Sequence, residues 1–139
     1  MSIDAAFNFR RVSDTVTTSG LLNAEQLATL RSEGYAAVVN LLPDSYEHAV
    51  RDEAEIVQAQ GLDYVYLPVD FETPTHDDFA AFSAAMQEHA GQQVHVHCAA
   101  NYRVSAFYAL YAQAQGWWTE AEADAVVREL WEPAEYPAW

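Results

Sequence analysis

The fold is decided by residues 94–105, which read VHVHCAANYRVS. Valine and histidine alternate over the first four positions, and this alternation is typical of a strand within a sheet. A short turn follows, and the apolar run after it predicts a helix that begins near Arg103 and ends at Gly116. Cys98 therefore stands at the carboxyl end of a strand, where open α/β sheets bind their ligands.

The turn after Cys98 has the groups that an oxyanion site needs. Backbone N–H groups at a helix N-terminus point at an anion, and together with the guanidinium of Arg103 they favour thiolate over thiol. Cys98 is therefore a predicted nucleophile. Arg103 can hold two phosphate oxygens through its planar fork, a geometry that lysine lacks. The predicted phosphate-binding set is Ala99, Ala100, Asn101, Tyr102 and Arg103.

The rest of the chain reads as alternating strands and helices. Predicted strands cover residues 10–12, 15–18, 36–42, 64–68 and 93–97, the first two as short edge strands. Predicted helices follow Asn23, cover residues 47–60, begin at Thr75, begin near Arg103, and begin at the capping box of Thr119 and Glu122. This order predicts an α/β fold, a single domain over residues 1–139 with a central, mainly parallel sheet flanked by helices on both faces.

Composition narrows the function classes. The chain has 139 residues, of which 51% are hydrophobic and 19% charged, as in a packed globule. Its formal net charge is −15 and all six of its basic residues are arginine, so a nucleic acid or an acidic membrane is not an expected partner. One cysteine forms no internal disulfide, and neither a signal peptide nor a membrane span is recognised, so we expect a cytoplasmic protein.

The loop resembles that of a known group of enzymes. His97, Cys98 and Arg103 at a strand-to-helix turn are similar to the signature of the protein tyrosine and dual-specificity phosphatases. Upstream segments extend the resemblance to the bacterial phosphatase-like domain of the beta-lactamase-hydrolase-like family, over about residues 9–115. Those segments are 11–14 (RVSD), 18–20 (TSG), 25–27 (EQL) and 38–41 (VVNL).

The resemblance implies a cysteine-phosphatase-like fold and hydrolysis of a phosphomonoester through a cysteinyl-phosphate. It implies a general acid on a loop about thirty residues before the cysteine, and Asp70 lies 28 residues before Cys98. It also implies that His97 hydrogen-bonds the loop backbone, while His95 is expected to be a core histidine with its hydrogen bonds satisfied. Alternative acids are His76, Glu72, Asp77 and Asp78, although the two aspartates also suit the start of a helix.

Three features depart from the phosphatase pattern. Four residues separate Cys98 from Arg103, where the phosphatases usually have five, and four is the length found in rhodanese-type sulfurtransferases. The usual loop glycine is absent, and Asn101 is expected to take the left-handed backbone conformation in its place. Val104 occupies the position of a usual hydroxyl, so Ser105 is assigned as the supporting hydroxyl.

Two other functions therefore stay open: a sulfurtransferase that carries a persulfide on Cys98, and a catalytically weak phosphate-binding regulatory module. No cofactor is implied, and no metal site, because His95 and His97 share one side of a strand without a convincing third ligand. Expected partners are a phosphorylated small molecule or a phosphoprotein, and the oligomeric state is not predicted. The aromatic residues near the C-terminus are expected to pack the core and a folded-back tail, or to form a self-association patch.

Overall fold

Five strands form one sheet at the centre of the molecule. The computed structural model describes residues 3–136 and 138–139. The strands are β1 (Arg10–Arg11), β2 (Val16–Ser19), β3 (Ala37–Asn40), β4 (Asp63–Tyr66) and β5 (Val94–His97). The helices are α1 (Ala24–Ala28), α2 (Glu53–Ala59), α3 (His76–Glu88), α4 (Tyr102–Ala114) and α5 (Glu120–Arg128). Short 3₁₀ helices cover Ile3–Ala5 and Pro133–Glu135.

The sheet is mainly parallel, with the order β1-β2-β5-β3-β4. β5 lies at its centre, because Val94 pairs with Val16 of β2 on one side and with Ala37 of β3 on the other. β3 and β4 are also parallel, and only β1 runs antiparallel to its neighbour. The predicted α/β fold and the central position of the strand before Cys98 are confirmed.

The two faces of the sheet pack against different helices. On one face Val39 and Val96 belong to a core cluster with Phe82 of α3 and Phe107 of α4. On the other face Val38 lies in a separate cluster with residues of α1 and α2. α5 packs on the outside of α4. At 13 residues, α3 and α4 are the longest helices of the described chain, and none of the described helices is long and apolar enough to cross a bilayer.

The prediction that residues 15–18 form an edge strand was wrong. β2 lies inside the sheet, between β1 and β5, and all four of its residues are buried. Its hydroxyl-bearing residues gave the strand a polar appearance. Thr17, Thr18 and Ser19 are nevertheless compatible with burial, because each hydroxyl has a buried hydrogen-bond partner.

The predicted helix over residues 47–60 is also shorter than expected. α2 begins at Glu53, and residues 43–49 form turns in which Tyr46 N–H donates to the carbonyl of Pro43 and Ala49 N–H to that of Tyr46. The predicted starts of α1, α3 and α5 are confirmed by capping boxes at Asn23, Thr75 and Thr119. Residues 43–52 therefore belong to the loop that connects β3 with α2.

Candidate active site

The loop after β5 carries the predicted nucleophile. Cys98 is fully buried, and its N–H donates to the carbonyl of Ser19 over 3.3 Å. The carbonyl of Ala99 accepts from Leu21 N–H at 2.9 Å, and α4 begins at Tyr102. The predicted unit of strand, tight turn and helix is present, and backbone that follows β2 holds its turn in place.

Asn101 gives the loop its curvature. Its φ is 67°, in the left-handed region that glycine usually occupies, as predicted for this position. Its Nδ2 donates to the carbonyl of Asn8 and to Oγ1 of Thr18, each at 2.9 Å. Asn8 in turn donates from Nδ2 to the carbonyl of Ala100 at 3.0 Å. The turn is therefore fixed from both the N-terminal segment and β2.

Gly20 directly follows β2 and allows the backbone there to lie close to the loop after Cys98. A Cβ at Gly20 would lie 2.6 Å from the carbonyl oxygen of Ala99, 2.9 Å from Cα of Ala100 and 2.9 Å from the Phe7 ring. Two of these atoms belong to the loop backbone and cannot rotate away. Any side chain at position 20 would therefore push on the loop.

Arg103 is a buried cation that forms no ion pair with any described residue. Only 3% of the residue is exposed, and its guanidinium lies over the rings of Tyr46 and Phe71, at 5.5 and 5.3 Å from their centroids. Among the described residues it has no hydrogen-bond or ion-pair partner, and Nε is buried and unpartnered. Such a buried charge is costly unless an anion binds to it.

A cleft opens beside this guanidinium. One part, of about 200 Å³, is lined by the loop and by aromatic rings; a second part, of about 460 Å³, includes Asp70. Tyr46, Phe71 and Arg103 line both parts. We call the whole the cleft. The residues that line it include Tyr46, Asp70, Phe71, Glu72, Ala99, Ala100, Tyr102, Arg103 and Tyr136.

Asp70 lies on an exposed turn after β4. Its Oδ1 accepts from the N–H of Glu72 at 2.9 Å, and its carbonyl accepts from Thr73 N–H at 3.1 Å. Both Asp70 and Glu72 line the cleft, so the structure places two of the candidate acids on the cleft that Arg103 also lines. Asp78 instead belongs to the capping box of α3, with Asp77 beside it in the first turn, as the helix-start interpretation predicts.

His97 does not bond the loop as predicted. Its Nε2 lies 2.5 Å from Oε2 of Glu53, both side chains are buried, and Nδ1 has no partner among the described residues. Glu53 is the first residue of α2, and its carboxylate lies within hydrogen-bonding distance of His97 at the end of β5. A hydrogen bond to a carboxylate is stronger than one to a neutral backbone carbonyl, so His97 bonds Glu53 and not the loop. Glu53 was missed, because a glutamate in a segment of helical composition gives no sign of burial.

His95 is the satisfied core histidine that was predicted. Its Nδ1 lies 2.7 Å from Thr17 Oγ1 and its Nε2 lies 2.8 Å from Ser19 Oγ. Because Ser19 donates its own proton to the carbonyl of Gly20, the partners imply that Nε2 carries the ring proton. Burial, and then the neighbouring His97, hold the pKa of His95 well below its ordinary value, so the ring is neutral.

Ser105 faces away from the predicted site. Its hydroxyl donates to the carbonyl of Tyr102 and accepts from Nε1 of Trp131, both at 3.0 Å. Among the described residues no hydrogen bond joins Ser105 to the Cys98 sulfur, and the Ser105 hydroxyl lies against the Trp131 indole. Within the same residues no three His, Cys, Asp or Glu side chains are grouped to hold a metal ion.

These features define a protein with the fold of the cysteine phosphatases. The structure matches that of TpbA from P. aeruginosa, solved in complex with phosphotyrosine, with a TM-score of 0.75. The match covers 95% of this chain and 80% of that chain at 19% identity, which shows the shared fold. The fold that the loop signature implied is confirmed.

The chain belongs to the family described as beta-lactamase hydrolase-like protein, phosphatase-like domain, which matches residues 8–116. A beta-lactamase hydrolase-like protein of Agrobacterium fabrum is 29% identical over 103 residues, covering 72% of this chain. The chain spans only 24% of that relative's length. The crystal structure of a protein of Shewanella putrefaciens CN-32, named as a phosphatase of the DUF442 group, also matches, at 39% identity and with a TM-score of 0.89. That match covers 96% of this chain and 85% of the other.

Proposed function

We propose that the chain hydrolyses phosphomonoesters through a cysteinyl-phosphate on Cys98. The observation that carries the proposal is the buried guanidinium of Arg103, which has no anionic partner among the described residues and stands at the loop that begins with Cys98. A phosphate dianion in the cleft supplies the missing charge. The planar fork of Arg103 and the amides of Ala99 to Tyr102 then stabilise the charge that develops on the phosphoryl oxygens.

The reaction proceeds in two steps. The Cys98 thiolate attacks phosphorus, the ester P–O bond breaks, and Asp70 gives its proton to the departing oxygen. In the second step the Asp70 carboxylate takes a proton from water, the water oxygen bonds to phosphorus, and the S–P bond breaks. Inorganic phosphate leaves and the thiolate is restored. The position of Asp70 on the cleft that Arg103 lines supports this double role.

The substrate is a phosphorylated small molecule or a phosphoprotein in the cytoplasm, and no cofactor takes part. Recognition depends on donors close to the phosphate, because the net charge of −15 repels anions at longer range. Arg103 is the only basic residue that lines the cleft in the described chain.

One observation favours a second candidate, a phosphate-binding module without turnover. Cys98 is fully buried and does not line the cleft among the described residues, although the loop residues after it do. A phosphate held by Arg103 and the loop amides can then be bound without being attacked. The two functions differ in whether the Cys98 sulfur reaches the bound phosphorus.

The test is Cys98→Ser, assayed with para-nitrophenyl phosphate beside the parent. Turnover is expected to fall to the level of the uncatalysed reaction, because a serine hydroxyl is not ionised at neutral pH. Circular dichroism checks that the fold is kept, and acid quenching of the parent during turnover traps the phosphorylated cysteine.

Comparable turnover in Cys98→Ser removes the nucleophile assignment. Saturable binding of inorganic phosphate by a parent that shows no turnover supports the binding module instead. A stable persulfide on Cys98 after incubation with thiosulfate, without ester hydrolysis, identifies a sulfurtransferase.

A further inference from the structure

The C-terminal segment, residues 131–136 and 138–139, reaches the cleft from outside the part of the chain that the family match covers. Resting on the proposed function, we propose that this segment completes the active site. Trp139 is a positioning residue for the loop that carries Asp70, and Tyr136 forms a wall that selects a planar leaving group.

Trp139 holds the backbone directly after the proposed acid. Its Nε1–H donates to the carbonyl of Phe71 at 2.9 Å, and the two rings lie 5.6 Å apart. Phe71 follows Asp70 in the chain, and its other neighbours include the guanidinium of Arg103. The Trp139 ring also lies 5.6 Å from that of Phe107 on α4. Trp139 therefore links the loop that carries Asp70 to α4.

Trp131 connects the same segment to the loop that follows Cys98. Its ring stacks on that of Tyr102 with centroids 4.8 Å apart and planes 2° from parallel. Its indole N–H donates to Ser105 of α4, and its ring lies 5.7 Å from that of Phe71. The segment thus contacts both sides of the cleft: the loop that carries Asp70 and the loop that follows Cys98.

Tyr136 is placed to meet the substrate. Its ring lies 5.2 Å from that of Phe71 in an edge-to-face arrangement, and it lines the cleft together with Ala99 and Arg103. The residue is 36% exposed, so part of its ring is left uncovered. With Tyr46 and Phe71 it surrounds the space beside the guanidinium with aromatic faces, against which a planar group packs favourably.

The charges around the cleft limit what the leaving group carries. Asp70 and Glu72 line the larger part, and Arg103 is the only cation among the described residues that line either part. Arg103 is needed by the phosphoryl group itself. A leaving group with further negative charge is repelled, so the wall fits an uncharged ring better than a polyphosphate.

The positioning role is tested by Trp139→Phe, which keeps an aromatic ring and removes the indole N–H. Trp117→Phe is the matched control, since Trp117 is 59% exposed and does not line the cleft. Loss of one hydrogen bond is expected to lower kcat for phenyl phosphate about 2- to 10-fold. The kcat for 2,4-dinitrophenyl phosphate, whose leaving group scarcely needs protonation, should stay unchanged.

A readout independent of activity accompanies the kinetics. Amide hydrogen exchange over residues 68–75 should be faster in Trp139→Phe than in the parent and in Trp117→Phe, because the carbonyl of Phe71 has lost its donor. Unchanged exchange, or equal slowing of both esters, overturns the positioning role. If the parent hydrolyses neither ester, the proposed function fails, and the exchange rates still decide whether Trp139 holds the loop.

The wall is tested by Tyr136→Ala, with Tyr136→Phe as the control that keeps the ring. In Tyr136→Ala, KM for phenyl phosphate should rise about 2- to 10-fold, as expected for one aromatic contact, with KM for ethyl phosphate unchanged. In Tyr136→Phe, which keeps the ring, the ratio of the KM values for the two esters should stay close to that of the parent. A rise in KM for both esters, or for neither, overturns the selectivity assigned to Tyr136.

Discussion

The two sides of the cleft are built in different ways. The loop that follows Cys98 includes the buried Asn101, and hydrogen bonds from Asn8, from Leu21 and to Thr18 fix it between β5 and α4. The turn around Asp70 is exposed and is held by hydrogen bonds within the turn, by the bond from Trp139 to the carbonyl of Phe71 and by aromatic contacts to Phe71. One side is held by buried polar groups, and the other by side chains at its surface.

This difference predicts how substitutions on each side of the cleft change the hydrolysis of different phosphomonoesters. The phosphoryl group is common to every phosphomonoester, so a preorganised set of donors acts on all of them alike. The leaving group varies, and the residue proposed to protonate it, Asp70, lies on the exposed side. Substitutions near Cys98 should therefore change all reactions equally, whereas substitutions near Asp70 should change them according to the leaving group.

Asp70→Asn gives the largest effect that separates the two sides. An activated aryl phosphate departs as a stable anion, whereas phosphotyrosine or an alkyl phosphate has a poorer leaving group that needs a proton. We expect turnover of the poor leaving group to fall by about 10²–10⁴, the contribution of a positioned acid, and that of the activated ester to change little.

The measurement is kcat for both esters, with Asp77→Asn as the matched control on the first turn of α3. Equal slowing of both esters, or no slowing, places the acid elsewhere. Glu72, which also lines the cleft, is then the next residue to substitute.

Arg103→Lys tests the side that should treat all esters alike. A lysine keeps the charge but loses the fork, so we expect kcat/KM to fall by about 10²–10³ for activated and poor esters together, the usual loss for one oxyanion donor. The ratio between the two esters should stay as in the parent. Unchanged turnover and affinity would make Arg103 a structural residue.

Gly20→Ala is expected to act on the loop through its backbone. The new Cβ would lie 2.6 Å from the carbonyl oxygen of Ala99, and overpacking of this kind costs about 1–3 kcal/mol of unfolding free energy. Both stability, measured by urea titration, and kcat should fall. Gly91→Ala is the control, because its Cβ meets nothing within 4 Å, so only its positive φ of 83° is strained. A Gly20→Ala chain with parental kcat would show that the loop tolerates displacement.

The smallest expected effect is the pH dependence that His95 adds to stability. Its pKa is lowered in the folded state, so below the unfolded value of about 6.5 the unfolded chain binds a proton that the folded chain does not. Stability is therefore lost as the pH falls from 7 to 5, by at most about 1.4 kcal/mol per pH unit from this one group. Urea titrations at both pH values should show a smaller loss in His95→Gln than in the parent. Equal losses would mean that His95 is charged when folded.

Much of this comparison could be predicted from the sequence where the interactions are local. The turn after Cys98, the left-handed Asn101 and the capping box at Thr75 depend on neighbours within a few residues. Local chemistry also explains why Asp78 could be assigned to the start of a helix. The proposed nucleophile Cys98 and Arg103 flank the same short loop between β5 and α4, as their spacing predicts.

The remainder depends on contacts between distant segments. Glu53 is 44 residues from His97, and nothing near it in the sequence indicates that its carboxylate is buried. Tyr46 precedes the helix predicted over residues 47–60, and nothing near it in the sequence indicates that its ring lies against Arg103. Tyr136 was predicted only as part of an aromatic tail. Its position in the cleft depends on how α5 packs against α4.

The orphan guanidinium of Arg103 also sets a limit on how stable this protein can be. Replacing a buried charge by an apolar side chain of similar volume often makes a fold more stable, and here the same replacement would remove the proposed phosphate donor. Selection for binding therefore opposes selection for stability at this one position. The conflict is relieved only while the cleft is occupied, since a ligand that binds the folded chain alone raises its free energy of unfolding. Inorganic phosphate, the product of the proposed reaction, would thereby also act as a stabiliser of the molecule that releases it.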